Sequence, residues 1–292
     1  MDNAKTPDST PLATSVAEKM RIMKLLETKE IGKPEKTRIM TVSNQKGGVG
    51  KTTTTVNLAT AMAKHELKVL VIDADPQGNA STALGIEHTV GTPSTYEIML
   101  EEKEIDDVVQ VCPNFENLYV CPSTIDLSGA EIELVLKENR EFILKNSVQK
   151  FLEKHKDFDY VFIDCPPSLG LMTVNSFTVA QEVIIPIQCE YYALEGLSLL
   201  LNTIEMIKNN LNPNLKLSTI ILTMFDKRTN LSQEVAEEVR THFPDITLNV
   251  EIPRSVKIAE APSYNETVIT YSEQSVGSLS YQLAAFEIAG RK

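Results

Sequence analysis

The sequence predicts an α/β protein, a single doubly wound, mostly parallel sheet flanked by helices. Three observations point there. Short apolar runs recur at residues 38–43 (RIMTVS), 68–73 (KVLVID), 160–164 (YVFID), 182–187 (EVIIPI) and 217–223 (LSTIILT). Their continuous β-branched character is that of strands covered on both faces. Helical stretches separate them, at about 140–155, 193–210, 231–242 and 275–289, and strands alternating with helices give a parallel sheet. A glycine-rich turn joins the first run to a helix reaching about Lys64, whose buried face would use Val56, Leu58, Ala59 and Met62.

Ahead of this domain, residues 1–13 are polar and proline-rich and read as a disordered tail. Residues 14–29 place Val16, Met20, Met23 and Leu26 at roughly helical spacing, with Lys19, Arg21 and Lys24 between them. The plainer reading of this helix is an extension packed on its own domain; a docking helix for a partner or a membrane surface is the other. Residues 30–36 read as a linker, so the expected division is a flexible extension over 1–36 and one domain over 37–292.

Composition bounds the function. The chain has 292 residues, 42% hydrophobic and 23% charged, enough apolar surface for a sizeable core. The formal net charge is −12, which argues against a uniformly basic nucleic-acid coat while leaving room for a local basic face. The acidity sits in residues 40–200, with 11 basic and 23 acidic groups, while residues 201–292 are near neutral. Cys112, Cys121, Cys165 and Cys189 form no C-x-x-C pair, so a zinc or iron–sulfur site has no support in spacing. Sparse cysteines, with no signal-peptide pattern and no apolar run of spanning length, lead us to expect a cytoplasmic protein.

The strongest chemical signal is Lys46-Gly47-Gly48-Val49-Gly50-Lys51-Thr52-Thr53, between the first strand and the first long helix. Small residues let backbone N–H groups turn inward toward phosphate oxygens. The helix start adds its positive dipole end. Lys51 has the reach for β- and γ-phosphates, and the Thr52 hydroxyl suits Mg²⁺. The spacing departs from the usual G-x-x-x-x-G-K-[ST], because Gln45 stands where the first glycine would be. Lys46 is a second cation that an ordinary phosphate loop does not need. It can point away from its own nucleotide toward one held by a facing subunit, as an arginine finger does; the bland reading is a solvated loop lysine.

Carboxylates follow at strand ends. Asp73 and Asp75 close the second run, at the edge where open α/β sheets hold ligands. Either can orient water or serve as a helix cap. Asp164 closes YVFID and is placed to act on Mg²⁺ through water. Pro166-Pro167 then stiffens the following turn.

These motifs resemble the ParA/MinD superfamily, P-loop NTPases of the deviant Walker A type. The resemblance narrows to the ParA (Soj-like) partition ATPases through Asp73-Ala74-Asp75-Pro76-Gln77-Gly78-Asn79, Ala130-Glu131-Ile132-Glu133-Leu134, Asp164-Cys165-Pro166-Pro167-Ser168-Leu169-Gly170, Gln188-Cys189-Glu190-Tyr191-Tyr192-Ala193-Leu194-Glu195-Gly196 and Ile252-Pro253-Arg254-Ser255-Val256. It runs from about residue 37 to 289. It implies slow Mg²⁺-dependent ATP hydrolysis, with Asp75 positioning the attacking water and Asp73 supporting from behind. It implies an ATP-bound sandwich homodimer with Lys46 acting across the interface, and adenine held near Pro253 and Arg254. It further implies non-specific DNA binding through Arg228 and Lys257, assisted by Lys227 and Arg254, and hydrolysis stimulated by a ParB-type centromere-binding protein. The stretch 271–277 lacks the arginines many relatives carry, and Glu273 adds a negative charge, so the expected DNA binding is salt-sensitive. An acidic surface at residues 97–107 suits a basic peptide or is simply a solvated face.

The alternative is a related ATPase that positions another cargo or acts at the membrane in division-site placement. A membrane anchor needs a basic amphipathic end, and residues 279–292 carry no basic residue before Arg291. No stable membrane association is expected; nucleoid association in the ATP state is.

Overall fold

The structure is a computed structural model and describes residues 11–190 and 193–291. It divides into two compact units, 1–30 and 31–292, each described by itself. The first contains helix α1, Pro11–Thr28. It begins earlier than the sequence suggests because proline is well suited to a first helical turn, where its missing N–H is not needed. Residues 1–10 of the expected tail lie outside the described residues.

The second unit is built on a seven-stranded sheet: β1 Arg38–Val42, β2 Val69–Asp73, β3 Gln110–Cys112, β4 Phe115–Cys121, β5 Tyr160–Asp164, β6 Glu182–Gln188 and β7 Lys216–Thr223. The spatial order is β3-β4-β2-β5-β1-β6-β7. All pairings are parallel except β3 on β4. Five strands are those the apolar runs predict. The other two, edge strand β3 and its antiparallel neighbour β4, escape that criterion because they mix buried with half-covered or exposed residues, as antiparallel strands with one face toward water do.

Helices cover both faces. On one side Leu70, Ile72, Val161 and Ile163 share a core with Leu144, Val148 and Phe151 of the helix Ile143–Lys154. The expected helix at 140–155 thus resolves into this helix preceded by a 3₁₀ turn, Arg140–Phe142. Toward β7, Val183, Ile185, Ile220 and Leu222 pack with Leu200 and Ile204 of Ala193–Asn210 and with Val235 and Val239 of Asn230–His242. Helix α2, Lys51–Lys64, is buried along nearly its whole length and packs against the C-terminal helix Val276–Gly290. Such enclosure explains its small residues: alanine and threonine let strands and helices approach from several sides.

Register sets the site. Val42 pairs with Asp164 across β1 and β5, and Asp73 pairs with Asp164 across β2 and β5. The phosphate loop and two carboxylates therefore meet at one carboxyl edge of the sheet, beside the strand where chain direction across the sheet reverses.

Candidate active site

The loop leaves β1 and turns into α2 through two left-handed residues, Gly48 at φ 74° and Gly50 at φ 90°. Only glycine adopts that conformation without a Cβ penalty. A Cβ on Gly47 or Gly48 would meet nothing within 4 Å, so the loop lies open on its outer side. Side chains pin it from below. Asn44 Nδ2 donates to the Pro186 carbonyl at 2.8 Å and its Oδ1 accepts from Lys46 N–H at 3.0 Å. Thr223 Oγ1 donates to the Val49 carbonyl at 2.8 Å.

Lys51 reaches back along this loop, and its ammonium donates to the Lys46 carbonyl at 3.2 Å. The residue is buried. Desolvation lowers its pKa, and the nearby Asp164 and Asp75 carboxylates oppose that. An ammonium carries three donors. Among the described residues one is used, which leaves donors for an anion in the loop.

Next to Lys51, Thr52 Oγ1 donates to Asp164 Oδ2 at 2.7 Å, and one turn on Thr55 Oγ1 donates to Oδ1 at 3.0 Å. Burial raises the Asp164 pKa, and the facing Asp73 raises it further. Asp73 is raised by its own burial, against hydrogen bonds from Ser81 N–H at 2.9 Å, Ser81 Oγ at 2.7 Å and Asp75 N–H at 3.2 Å. Two buried carboxylates paired across neighbouring strands strain toward neutrality unless a cation joins them. Asp75 faces the cleft and accepts from Gln77 N–H at 3.0 Å. Behind it, Gly78 stands at φ 62° with His88 and the Ser123 carbonyl only 2.9 Å from any added Cβ, so this turn cannot carry a larger residue.

The cleft has a volume of about 470 Å³. Its phosphate end is Gly47, Gly48, Gly50, Lys51, Thr52 and Thr53, with Asp75 and Pro167 alongside. Its far wall is Met224, Ile258, Pro262, Glu266, Thr267 and Val268. Asn57 ties the two ends together, donating to the Thr53 carbonyl at 2.7 Å and accepting from Val268 N–H at 2.9 Å. Sequence reasoning missed this wall and Asn57. The one signal was a polar Asn between Val56 and Leu58 on a helix otherwise destined for burial.

A nucleoside triphosphate with a magnesium ion fits this set: a cradle with glycine turns, a buried ammonium with spare donors, and a hydroxyl beside an acidic strand end. Among the described residues no three His, Cys, Asp or Glu side chains gather to hold a metal by themselves.

Comparison with known proteins agrees. A family described as an AAA domain matches residues 37–217. The chromosome partitioning protein ParA of Myxococcus xanthus is 46% identical over 87% of this chain and 88% of its own. The chromosome-partitioning ATPase Soj of Treponema pallidum is 45% identical over 85% of this chain and 95% of its own. The chain belongs to the ParA/Soj family of partitioning ATPases. A crystal structure of cobyrinic acid a,c-diamide synthase from Mycobacterium smegmatis, with bound ATP analogue and magnesium, superimposes with a TM-score of 0.73 at 36% identity, covering 85% of this chain and 93% of that one. ATP hydrolysis is accordingly the activity of this chain.

Within this family frame, the remaining expected residues lie outside the cleft. Lys46 is exposed, its ammonium 3.5 Å from Glu190. Arg254 reaches the same carboxylate at 3.5 Å. Pro253 bridges to Phe225 and Arg254 N–H donates to the Phe225 carbonyl at 3.1 Å; neither residue lines the cleft, whose wall there is Met224 and Ile258. Arg228 is exposed but forked onto Asp226, at 2.9 and 2.7 Å. Lys227 is exposed as well. Lys257 pairs with Glu260 at 2.6 Å and lies 5.1 Å from the centre of the Tyr271 ring. Glu273 is paired with Lys64. All four cysteines are free and buried. No described helix is long and apolar enough to cross a membrane.

Proposed function

We propose that the chain is a Mg-ATP-driven DNA-partition switch, with the domain over 37–292 as the ATPase and residues 1–36 as an extension outside it. The observation that carries this reading is the convergence of Lys51, Thr52 and Asp75 on one cleft at the edge of β1, β2 and β5, with Asp164 buried beneath it and bonded to Thr52.

In this reading the loop amides and Lys51 bind the phosphates, and Thr53 with the far wall takes the nucleoside end. Thr52 and Asp164, the latter through water, would hold Mg²⁺, while Asp73 supports that shell from behind. The ion supplies charge neutralisation on the phosphate oxygens. Asp75 orients the attacking water for in-line displacement, and no covalent enzyme intermediate is needed. Lys46, lying outside its own cleft, acts on the nucleotide of a second copy in an ATP-bound homodimer. That dimer binds DNA without sequence preference through Arg228, Lys257, Lys227 and Arg254. Two copies double a local basic patch that the overall charge of −12 would otherwise oppose. A ParB-type partner accelerates hydrolysis and releases the DNA, so the protein is nucleoid-associated while ATP is bound.

The test is size exclusion and DNA retention with ADP and with a non-cleavable ATP analogue. The analogue should give a dimer that retains DNA at low salt and loses it as salt rises, whereas ADP should give a monomer that does not. A monomer indifferent to both nucleotides ends the proposal.

A further inference from the structure

We infer that His88, which lies outside the cleft, is a positioning residue for hydrolysis: its imidazole braces from behind the turn that carries Asp75. This role rests on the reading of Asp75 as the group that orients the attacking water.

One continuous stretch of chain supplies Asp75, Gln77, Asn79, Thr82 and Ala83 to the lining of the cleft. They sit on the turn after β2 and on the helix Asn79–Ala83, which is 5 residues long. A helix that short takes its stability from what packs on it. Its inner side is fastened to the sheet, where Ser81 Oγ donates to Asp73 at 2.7 Å and accepts from Ser123 N–H at 3.0 Å. The turn ahead of it is closed by local bonds. Gly78 N–H donates to the Asp75 carbonyl at 3.0 Å, and Gln77 N–H to the Asp75 carboxylate at 3.0 Å.

His88 supplies the outer brace. The chain reverses at Gly85, at φ 68°, and Ile86 N–H donates back to the Ser81 carbonyl at 3.0 Å. Gln110 of β3 holds the returning segment, donating to the Glu87 carbonyl at 2.9 Å. The imidazole is thereby laid against Gly78: a Cβ there would stand 2.9 Å from His88 Nδ1 and 3.1 Å from Cε1, with the Ser123 carbonyl also at 2.9 Å. The end of the turn is enclosed between the ring and that carbonyl. His88 Nε2 lies 2.9 Å from Thr82 Oγ1, and that hydroxyl donates to the Gly78 carbonyl at 3.1 Å. A hydroxyl has one proton to give. With it committed to Gly78, Nε2 carries the hydrogen and donates to Thr82. Ring, hydroxyl and carbonyl form one chain that ends on the turn bearing Asp75. His88 is half-buried and does not line the cleft, so it acts through this chain and not on the nucleotide.

The consequence is kinetic. The same reading gives the phosphates to the loop amides and Lys51, so a loosened turn leaves ATP affinity nearly unchanged. What it loses is the placement of Asp75 against water, and small misplacements of a reacting geometry are costly. The mark of this role is a slower hydrolytic step at constant ATP affinity.

Single-turnover hydrolysis at saturating Mg-ATP, with ATP Kd by calorimetry and a melting temperature for each full-length variant, tests this. His88→Leu keeps bulk and loses the donor; its rate should fall about tenfold, the scale of one lost hydrogen bond, with Kd within about twofold. The amide nitrogen of His88→Gln reaches the place of Nε2 and should restore most of the rate, whereas the shorter His88→Asn should not. Thr82→Val should match His88→Leu, and the double variant should be no slower than either, because both break one chain. A parental rate in His88→Leu, a raised Kd with the rate unchanged, a Gln variant as slow as Leu, or additive losses in the double variant overturns the inference. If His88→Leu melts below the assay temperature, Thr82 decides: Thr82→Ser should hydrolyse near the parental rate and Thr82→Val slowly, and equal rates overturn the role. Asp75→Ala run alongside separates the two claims. A slow Asp75→Ala with a normal His88→Leu strikes His88 alone; a normal Asp75→Ala strikes the water-orienting reading and takes the His88 role with it.

Discussion

The phosphate loop and the residues proposed above to meet DNA, Arg228 and Lys257 among them, are all singled out by the sequence, yet they are held differently. At the loop the side chains that serve its own cleft are buried or half-buried and held: Lys51 on the Lys46 carbonyl, Thr52 and Thr55 on Asp164, Asn44 on Pro186. The side chains proposed for DNA are exposed, and Arg228 and Lys257 are already paired with carboxylates of their own segment. Phosphoryl transfer depends on groups fixed within fractions of an ångström. Phosphate-backbone contact needs only charge and reach. The first demand leaves a buried, cross-braced site; the second leaves residues that exchange one partner for another.

If that contrast is right, substitutions in the loop act steeply and those on the surface act gently. Lys51→Ala should have the largest effect, weakening ATP binding at least about 100-fold, on the order of 2.7 kcal/mol, as measured by calorimetry. Retained binding would break the comparison at its strong end. Asp75→Ala should keep ATP binding within a few-fold but slow hydrolysis by about 10²-fold or more, the usual scale for a positioned carboxylate. A single-turnover assay reads this directly, and normal turnover would remove the water-orienting role.

Smaller effects belong to the surface. Arg228→Ala should cut DNA retention only a few-fold and shallow the salt dependence by about one phosphate contact per protomer. Asp226→Asn should do the opposite, because it frees the Arg228 guanidinium from its fork. Equal and opposite shifts in a salt titration sharpen the comparison; no shift in either removes this segment from the DNA surface.

The smallest effect is on stability. Asp164 and Asp73 have pKa values raised above the ordinary 3.8 by burial and by each other. A group whose folded pKa is raised favours the native state most at pH below the unfolded value, and that favour declines as pH rises toward the folded one. The nucleotide-free protein should therefore lose a few degrees of melting temperature as pH rises from about 4 into the neutral range. Asp164→Asn should flatten that slope, and Mg-ATP should offset the loss in the parent chain. An identical slope in Asp164→Asn assigns the pH dependence elsewhere.

The legibility of the site follows the same division. The strands of the sheet centre were readable because burial on both faces forces continuous apolar runs, as in YVFID and EVIIPI. Edge strand β3 and its neighbour β4 were not, since partial exposure of residues such as Glu116 and Val111 erases the pattern. Lys51, Thr52, Asp75 and Asp164 were readable because a glycine turn before a helix, and an acid after a buried strand, have few other uses. The far wall of the cleft was not. Met224, Ile258, Pro262 and Thr267 come from segments distant in the chain, and nothing local marks an ordinary Met or Ile as lining a cleft.

By itself, then, the sequence determined the parallel sheet, the phosphate loop and the acids at the strand ends, because each is dictated by local backbone conformation or local burial. Only the tertiary structure decided that register sets Asp73 against Asp164 and that Asn57 joins the phosphate loop to Val268. Those outcomes depend on which segments meet in space, and charge or hydropathy along the chain does not encode that meeting.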